Sequence, residues 1–184
     1  MAEPDARLVE RAREGDEDAF EQLVRRYLRA AYLAAFAVVG ERADAEDVCQ
    51  DAFITALERL DECRNPGKFA AWLLRIVKNR AHSHRRYLDV RRAAPLKDDL
   101  QAPGTGSSPV RAAERAELRE ELQVSLTMLP EVQREVLLLH DLEGWRHREI
   151  AELLGLPEGT VRAHLSYARR AMRERLVHHR SEER

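Results

Sequence analysis

Apolar residues return every three or four positions along most of this chain, and that period argues against a sheet-based fold. Phe20, Leu23, Val24, Tyr27, Ala31, Ala34, Ala35 and Val38 fall on one helical stripe, which Gly40 ends. A second stripe carries Ala45, Val48, Cys49, Ala52, Phe53, Ala56, Leu57 and Leu60. Asn65, Pro66 and Gly67 then break the pattern, and Phe69, Trp72, Leu73, Ile76 and Val77 restart it. Upstream, Leu8 to Glu14 reads as a short helix closed by Gly15, with Asp16 placed to cap the helix that follows. No segment reads as a strand, and a composition dominated by Ala, Leu, Glu and Arg with only 5% aromatic residues agrees with a mostly helical protein.

Periodicity disappears between Arg92 and Arg111, where Pro95, Pro103, Gly104, Gly106, Ser107, Ser108 and Pro109 offer little to bury. The expected architecture is therefore all-α, with two small helical domains (1–92 and 111–184) joined by a flexible linker (93–110) and free to move relative to each other. Ser108 and Pro109 form a helix entry leading to Leu118, Leu122, Leu126 and Leu129, and Pro130 starts another helix through Val132, Val136, Leu139 and Leu142. From His147 to Leu154 a helix turns Ile150, Ala151 and Leu154 inward, and Gly155 follows at the position of a left-handed cap. Leu156 to Gly159 make a short turn, and Thr160 is placed to cap a longer helix with Val161, Leu165, Ala168, Met172 and Leu176 inward. This is the pattern of a helix-turn-helix, whose second helix enters the major groove. Arg162, Ala163 and Ser166 are the base-reading candidates, while Arg169, Arg170 and Arg173 suit phosphates.

Charge is strongly segregated in a chain whose formal net charge is only −2. From Glu41 to Glu62 eight acidic residues face two arginines, a net of −6; from Arg75 to Arg92 seven basic residues face one acid, a net of +6. Opposite surfaces of this kind suit different partners. Glu46, Asp47, Gln50, Asp51 and Glu58 lie away from the apolar stripe of the acidic helix, and Arg75, Lys78, Asn79, His82, Arg85 and Arg86 lie away from that of the basic one. Cys49 and Cys63 form no CxxC pair, so neither a disulfide framework nor a zinc finger is expected. Cys49, on or beside the buried stripe, is a poor redox switch. His82 and His84 are two apart and His178 and His179 adjacent, so neither pair shares a helix face. No metal, no cofactor and no catalytic residues are expected, because the chain lacks a glycine-rich phosphate loop, a ligand cluster and a nucleophile with a nearby base. Nothing at the N-terminus reads as a leader and no apolar run reads as a membrane span, so a cytoplasmic setting is expected.

Four passages in order resemble the extracytoplasmic-function group of bacterial RNA polymerase sigma factors. They are Gly15 to Phe20 (GDEDAF), Asp44 to Phe53 (DAEDVCQDAF), Phe69 to Asn79 (FAAWLLRIVKN), and Gly144 to Arg170, which includes Glu149 to Gly155 (EIAELLG) and Leu156 to Arg162 (LPEGTVR). The resemblance implies sigma region 2 before the linker and region 4 after it, a protein that directs core RNA polymerase to promoters without chemistry of its own. By that resemblance Glu46, Asp47, Gln50, Asp51 and Glu58 dock on the polymerase. The loop containing Asn65 and Lys68, with Arg75, Lys78, Asn79, Arg80, His82, Arg85 and Arg86, corresponds to the part that recognises and melts the −10 element. Trp72 reads as core first and as a base-stacking platform second. Thr160, Arg162, Ala163, Ser166, Tyr167, Arg169, Arg170 and Arg173 correspond to the surface on the −35 duplex.

Elements about 25 base pairs apart are separated by about 85 Å at about 3.4 Å per pair, a span that about 28 extended residues, at most about 95 Å long, can bridge. The family also implies core RNA polymerase, promoter DNA and an anti-sigma factor as partners. Two departures bear on promoter sequence: Ser83, within His82-Ser83-His84, stands where relatives often carry Asp, and Trp145-Arg146-His147-Arg148 forms the entry to the helix-turn-helix. The competing reading is a stand-alone helix-turn-helix regulator that never touches polymerase. It has no use for the basic, tryptophan-containing stretch from Phe69 to Arg86.

Overall fold

A computed structural model describes residues 3–93 and 109–182, with side chains over 3–91 and 118–176. Most of the expected linker, Ser108 included, and the side chains of His178 and His179 lie outside the described residues. The helices are α1 (Asp5–Arg13), α2 (Glu17–Val39), α3 (Arg42–Glu58), α4 (Phe69–Ala93), α5 (Pro109–Thr127), α6 (Glu131–Leu137), α7 (His147–Leu154) and α8 (Glu158–Glu182). Short 3-10 turns at Leu60–Glu62 and Pro66–Lys68 join α3 to α4, and a π-helical turn, Leu138–Leu142, continues α6. The described residues contain no strand, and none of their helices is long and apolar enough to cross a membrane.

In the first unit α2 is the central element, packed on α1, α3 and α4. Its start is fixed by Asp16, whose Oδ1 accepts from the Ala19 N–H at 3.1 Å while Arg11 holds the other oxygen. Its end is fixed by Gly40 at φ 77°, where the left-handed backbone lets the N–H reach Phe36 O at 2.9 Å. Ala30, Ala31, Ala34, Ala35 and Ala37 are all buried, so neighbouring backbones approach α2 closely. Leu8, Val9, Leu23, Phe69, Leu73, Leu74 and Val77 complete a dry core. Phe69 is fully buried between Tyr27 and Trp72, at centroid distances of 5.8 and 5.9 Å. Trp72 packs against this core, as its place on the apolar stripe suggests.

The second unit is built on Leu129, Val136, Leu139, Ile150, Val161, Leu165 and Ala168. Gly155, at φ 66°, caps α7 and turns the chain into α8. Helix α8 starts at Glu158, two residues before the expected cap, so Thr160 lies in its first turn and donates its N–H to Pro157 O at 2.9 Å. The proline already sets the backbone for helix entry, leaving no capping role for Thr160. Three residues assigned inward by periodicity are instead half-exposed: Leu57 at 52%, Leu118 at 52% and Leu142 at 49%.

In this structure the two units are packed against each other. Ala30 of α2 is buried in the second core and Leu138 in the first, and Leu126, Trp145 and Leu153 touch both. Three ion pairs and a contact between His82 and Glu131 cross between helix α4, with the turn before it, and helices α6 and α7. The cause is local: α6 carries apolar and acidic groups on a face that its own unit leaves uncovered, and the face of α2 and α4 covers it.

Candidate nucleic-acid interface

Helix α3 presents Glu46, Asp47, Gln50, Asp51 and Glu58 to solvent, as expected. The same surface includes Ile54, 50% exposed, and Leu57. Periodicity counted Leu57 as core and passed over Ile54. The usable signal was the step of three or four from Asp47 through Gln50, Asp51 and Ile54 to Glu58, which puts an isoleucine in the middle of an acidic stripe. An acidic rim around exposed aliphatic groups is the make-up of a protein-docking surface.

The basic face of α4 is divided. Arg75, Asn79, Arg80 and Arg86 are exposed, as are Asn65 and Lys68 in the preceding loop. Arg80 is also anchored, donating to Thr55 Oγ1 of α3 at 2.6 Å, and Arg86 donates to Ser83 Oγ at 3.2 Å. Three cations, Lys68 and Arg85 exposed and Lys78 half-buried, also meet carboxylates of the second unit. Lys68 Nζ lies 3.2 Å from Glu152 Oε2, Lys78 Nζ donates to Glu135 Oε2 at 2.9 Å, and Arg85 donates to Glu131 Oε2 at 2.7 Å. His82 Nε2 lies 3.3 Å from the other oxygen of Glu131. His84 points elsewhere, 2.9 Å from Asp44 Oδ1, so the two histidines diverge as their spacing requires.

Glu135 is the exceptional member of this set. It is fully buried, its Oε1 has no partner, and burial pushes its carboxyl above the usual range, with Lys78 pulling the other way more weakly. Next to it Arg134 turns inward and donates to Thr127 O at 2.9 Å and Leu129 O at 3.1 Å, closing the end of α5. Burial lowers the Arg134 pKa below its ordinary value.

On α8, Arg162, Ala163, Ser166, Tyr167, Arg170 and Arg173 form one exposed strip, and Thr160 lies half-buried at its head. Tyr167 is 54% exposed with the Arg170 guanidinium 5.9 Å from its ring centroid, and Arg162 is hydrogen-bonded to Glu158 one turn back. Arg169 is exposed yet tied down: its Nε and Nη2 bond the two oxygens of Asp141 at 3.0 and 2.5 Å. That fork fastens the recognition helix to the end of α6. At the entry, Glu149 accepts from the Arg146 N–H at 2.7 Å, and the His147 ring meets His140 edge-on at 4.5 Å. Burial, then the His140 charge, lowers the His147 pKa.

The cysteines behave as packing groups. Both are buried, and burial raises the Cys49 thiol to about 11, far from a reactive thiolate at neutral pH.

Comparison with known proteins accounts for both units. The model of sigma-70 region 2 matches residues 23–90 and that of sigma-70 region 4 matches residues 119–172, together more than half of the chain. The RNA polymerase sigma-H factor of Pseudomonas aeruginosa is 34% identical over 181 residues, covering 92% of each chain. The sigma-E factor of Escherichia coli, an ECF RNA polymerase sigma factor, is 34% identical over 178 residues, covering 90% of each. Among solved structures, CnrH in complex with the cytosolic domain of CnrY superposes with a TM-score of 0.68 at 30% identity, over 94% of this chain and 96% of that one. The sigma factor RpoE bound to the anti-sigma factor NepR, from Bartonella quintana, shares the fold at a TM-score of 0.64 and 24% identity, over 85% and 96%. Alignment through both units rules out a regulator that borrowed only the helix-turn-helix. The chain belongs to the extracytoplasmic-function RNA polymerase sigma factors, which direct transcription initiation through RNA polymerase and are not enzymes.

Proposed function

We propose that the three surfaces divide the work of promoter selection. The acidic face of α3, Glu46, Asp47, Gln50, Asp51 and Glu58 around Ile54 and Leu57, docks on core RNA polymerase. The loop at Asn65 and Lys68 and the face of α4, Arg75, Lys78, Asn79, Arg80, His82, Arg85 and Arg86, hold the melted −10 strand, with cations on the backbone and Asn79 among them for a base edge. The strip on α8 lies in the major groove of the −35 duplex, with Arg162, Ala163, Ser166 and Tyr167 nearest the bases. Arg170 and Arg173 bind phosphates, and Arg169 orients the helix through Asp141. Residues 1–92 act as region 2, 93–110 as the connection and 111–184 as region 4. A role on polymerase puts the protein in the cytoplasm.

The carrying observation is the spatial separation of an acidic, partly aliphatic surface from two basic ones on a chain with almost no net charge. Anti-sigma control of this chain is proposed from the solved relative bound to NepR, and its physical seat is an apolar groove of about 690 Å³ lined by Leu118, Leu122, Leu126, Leu138, Met172 and Leu176. The test is reconstitution: the purified chain is mixed with core polymerase lacking sigma factor, and start sites are mapped on a library of DNA fragments. Defined start sites that vanish with Asp47→Lys and Asp51→Lys support the assignment. Start sites unaffected by those changes overturn the docking face, and duplex binding without polymerase association overturns the whole division.

A further inference from the structure

We propose that Arg13, the last residue of α1, is a positioning residue for the loop between α3 and α4: it grips the main chain of that loop from behind and so sets where Asn65 stands against a melted base. This inference rests on the reading of the loop as part of the strand-binding surface and adds to it a residue whose own side chain is turned into the protein. Helix α1 lies outside all three proposed surfaces, yet it packs directly on the two 3-10 turns between α3 and α4.

Among the described residues, the three hydrogen bonds of the Arg13 guanidinium all end on main-chain carbonyls of this loop. Its Nη2 donates to Cys63 O at 2.6 Å and to Leu60 O at 3.0 Å, and its Nε donates to Leu60 O at 3.3 Å. The side chain is only 25% exposed, so these charge-assisted bonds are largely shielded from water. Asp61 lies 3.7 Å from Nε but is 95% exposed, and an ion pair of that kind contributes little. From the clamped carbonyls the grip passes to the tip of the loop through short links. Leu60 and Cys63 are buried, and Asn65 O accepts from Cys63 Sγ at 3.6 Å and from the Lys68 N–H at 2.9 Å. Asn65 is exposed and carries the one side-chain amide between Arg59 and Lys68. Such an amide discriminates between bases only if its backbone is held in place.

The anchor is itself fixed. Leu8 and Val9 of α1 are fully buried, and Asp5 accepts from Arg26 and from the Tyr27 hydroxyl of α2. Tyr27 packs on Phe69, the first residue of α4, so the clamp and the start of the basic helix share one support. Lysine would not reproduce the clamp, because a planar fork spans two carbonyls whereas an ammonium group is a point charge.

The test uses holoenzyme reconstituted from the full chain and core polymerase. In one reaction it transcribes a pool of promoters, randomised at the −10 element of a fragment that this holoenzyme already transcribes, and transcript counts give the base preference at each position. All promoters compete for the same enzyme, so a mere loss of folded protein scales every transcript alike and leaves the preferences unchanged. Asn65→Ala should lower the preference at one −10 position about tenfold. Arg13→Ala and Arg13→Lys should each lower it about fivefold at that same position and leave the others unmoved. Added to Asn65→Ala, Arg13→Lys should bring no further change. If Arg13→Ala does not fold, Arg13→Lys, which keeps the charge, decides. Preferences untouched by Asn65→Ala would mean that the loop reads no base, and the clamp falls with that reading. A position that Asn65→Ala relaxes but an Arg13 variant leaves unmoved overturns the clamp while the loop reading stands, and so does an Arg13 effect spread evenly over the −10 positions.

Discussion

Replacing Lys78 by Met and, separately, Glu135 by Met should have opposite effects although each removes one end of the same ion pair. Lys78→Met leaves the Glu135 carboxylate fully buried with neither oxygen bonded, a situation that costs about 3–5 kcal/mol when the charge is kept. The carboxylate has a cheaper way out, because protonation at pH 7 from the ordinary glutamate value spans about 2.7 units at about 1.4 kcal/mol each, a ceiling of about 3.7 kcal/mol. The cost should therefore be about 3 kcal/mol at pH 7 and shrink by up to about 1.4 kcal/mol per unit of acidification. Glu135→Met instead fills the same volume, removes the unpartnered oxygen and leaves Lys78, whose side chain is 23% exposed, able to turn to water. It should be neutral or stabilising by about 1 kcal/mol.

Urea unfolding of the two single variants and the double variant over a range of pH gives the coupling, expected at about 1–3 kcal/mol. Trp145, packed against both cores, reports separation of the units by fluorescence alongside global unfolding. Equal costs for the two single variants, summing in the double with no coupling, would refute the idea that Glu135 is a buried charge dependent on Lys78.

Three further outcomes follow from other parts of the molecule. Burial raises the Glu135 pKa in the native state, so native protein binds the proton more readily than unfolded chain does; the stability due to this residue is present below the ordinary glutamate range and is lost as pH rises through the raised value. Subtracting the pH profile of Glu135→Gln from that of the native chain should leave this curve, and a flat difference would count against it. Gly155→Ala places its Cβ in open space at φ 66° and should cost about 1 kcal/mol. Gly40→Ala, at φ 77°, brings the Cβ to 3.2 Å from Thr127 Cγ2 of the second unit and should cost more and loosen the contact between units, readable as a larger loss in urea midpoint. On DNA, Arg162→Ala should relax discrimination at one base position by about 1–3 kcal/mol, whereas Arg173→Ala should weaken all sequences alike and reduce the salt slope by about one.

Much of this protein is set by local rules that read directly along the chain. The apolar periods, Asp16 as a cap, Gly40 and Gly155 as left-handed stops and the basic strip of α8 depend on residues within a turn or two of one another, so one sequence suffices to place them. The acidic face of α3 was legible for the same reason, apart from Ile54 and Leu57. Leu57 reads as a core residue and Ile54 goes unread by the periodicity, yet both are half-exposed among the described residues. Thr160 was misplaced as a cap because Pro157 and Glu158 open the helix earlier, a choice between adjacent signals that the fold settles.

What only the tertiary structure decided is the relation between the halves. Glu135 looks like any acidic residue on α6, and its burial against Lys78, 57 positions earlier, depends on how two helices from different units approach. Ala30 and Leu138 exchange cores for the same reason. Periodicity reports which face of a helix is apolar. It carries no information about which partner covers that face, because docking depends on shape and charge brought together across a long interval of sequence.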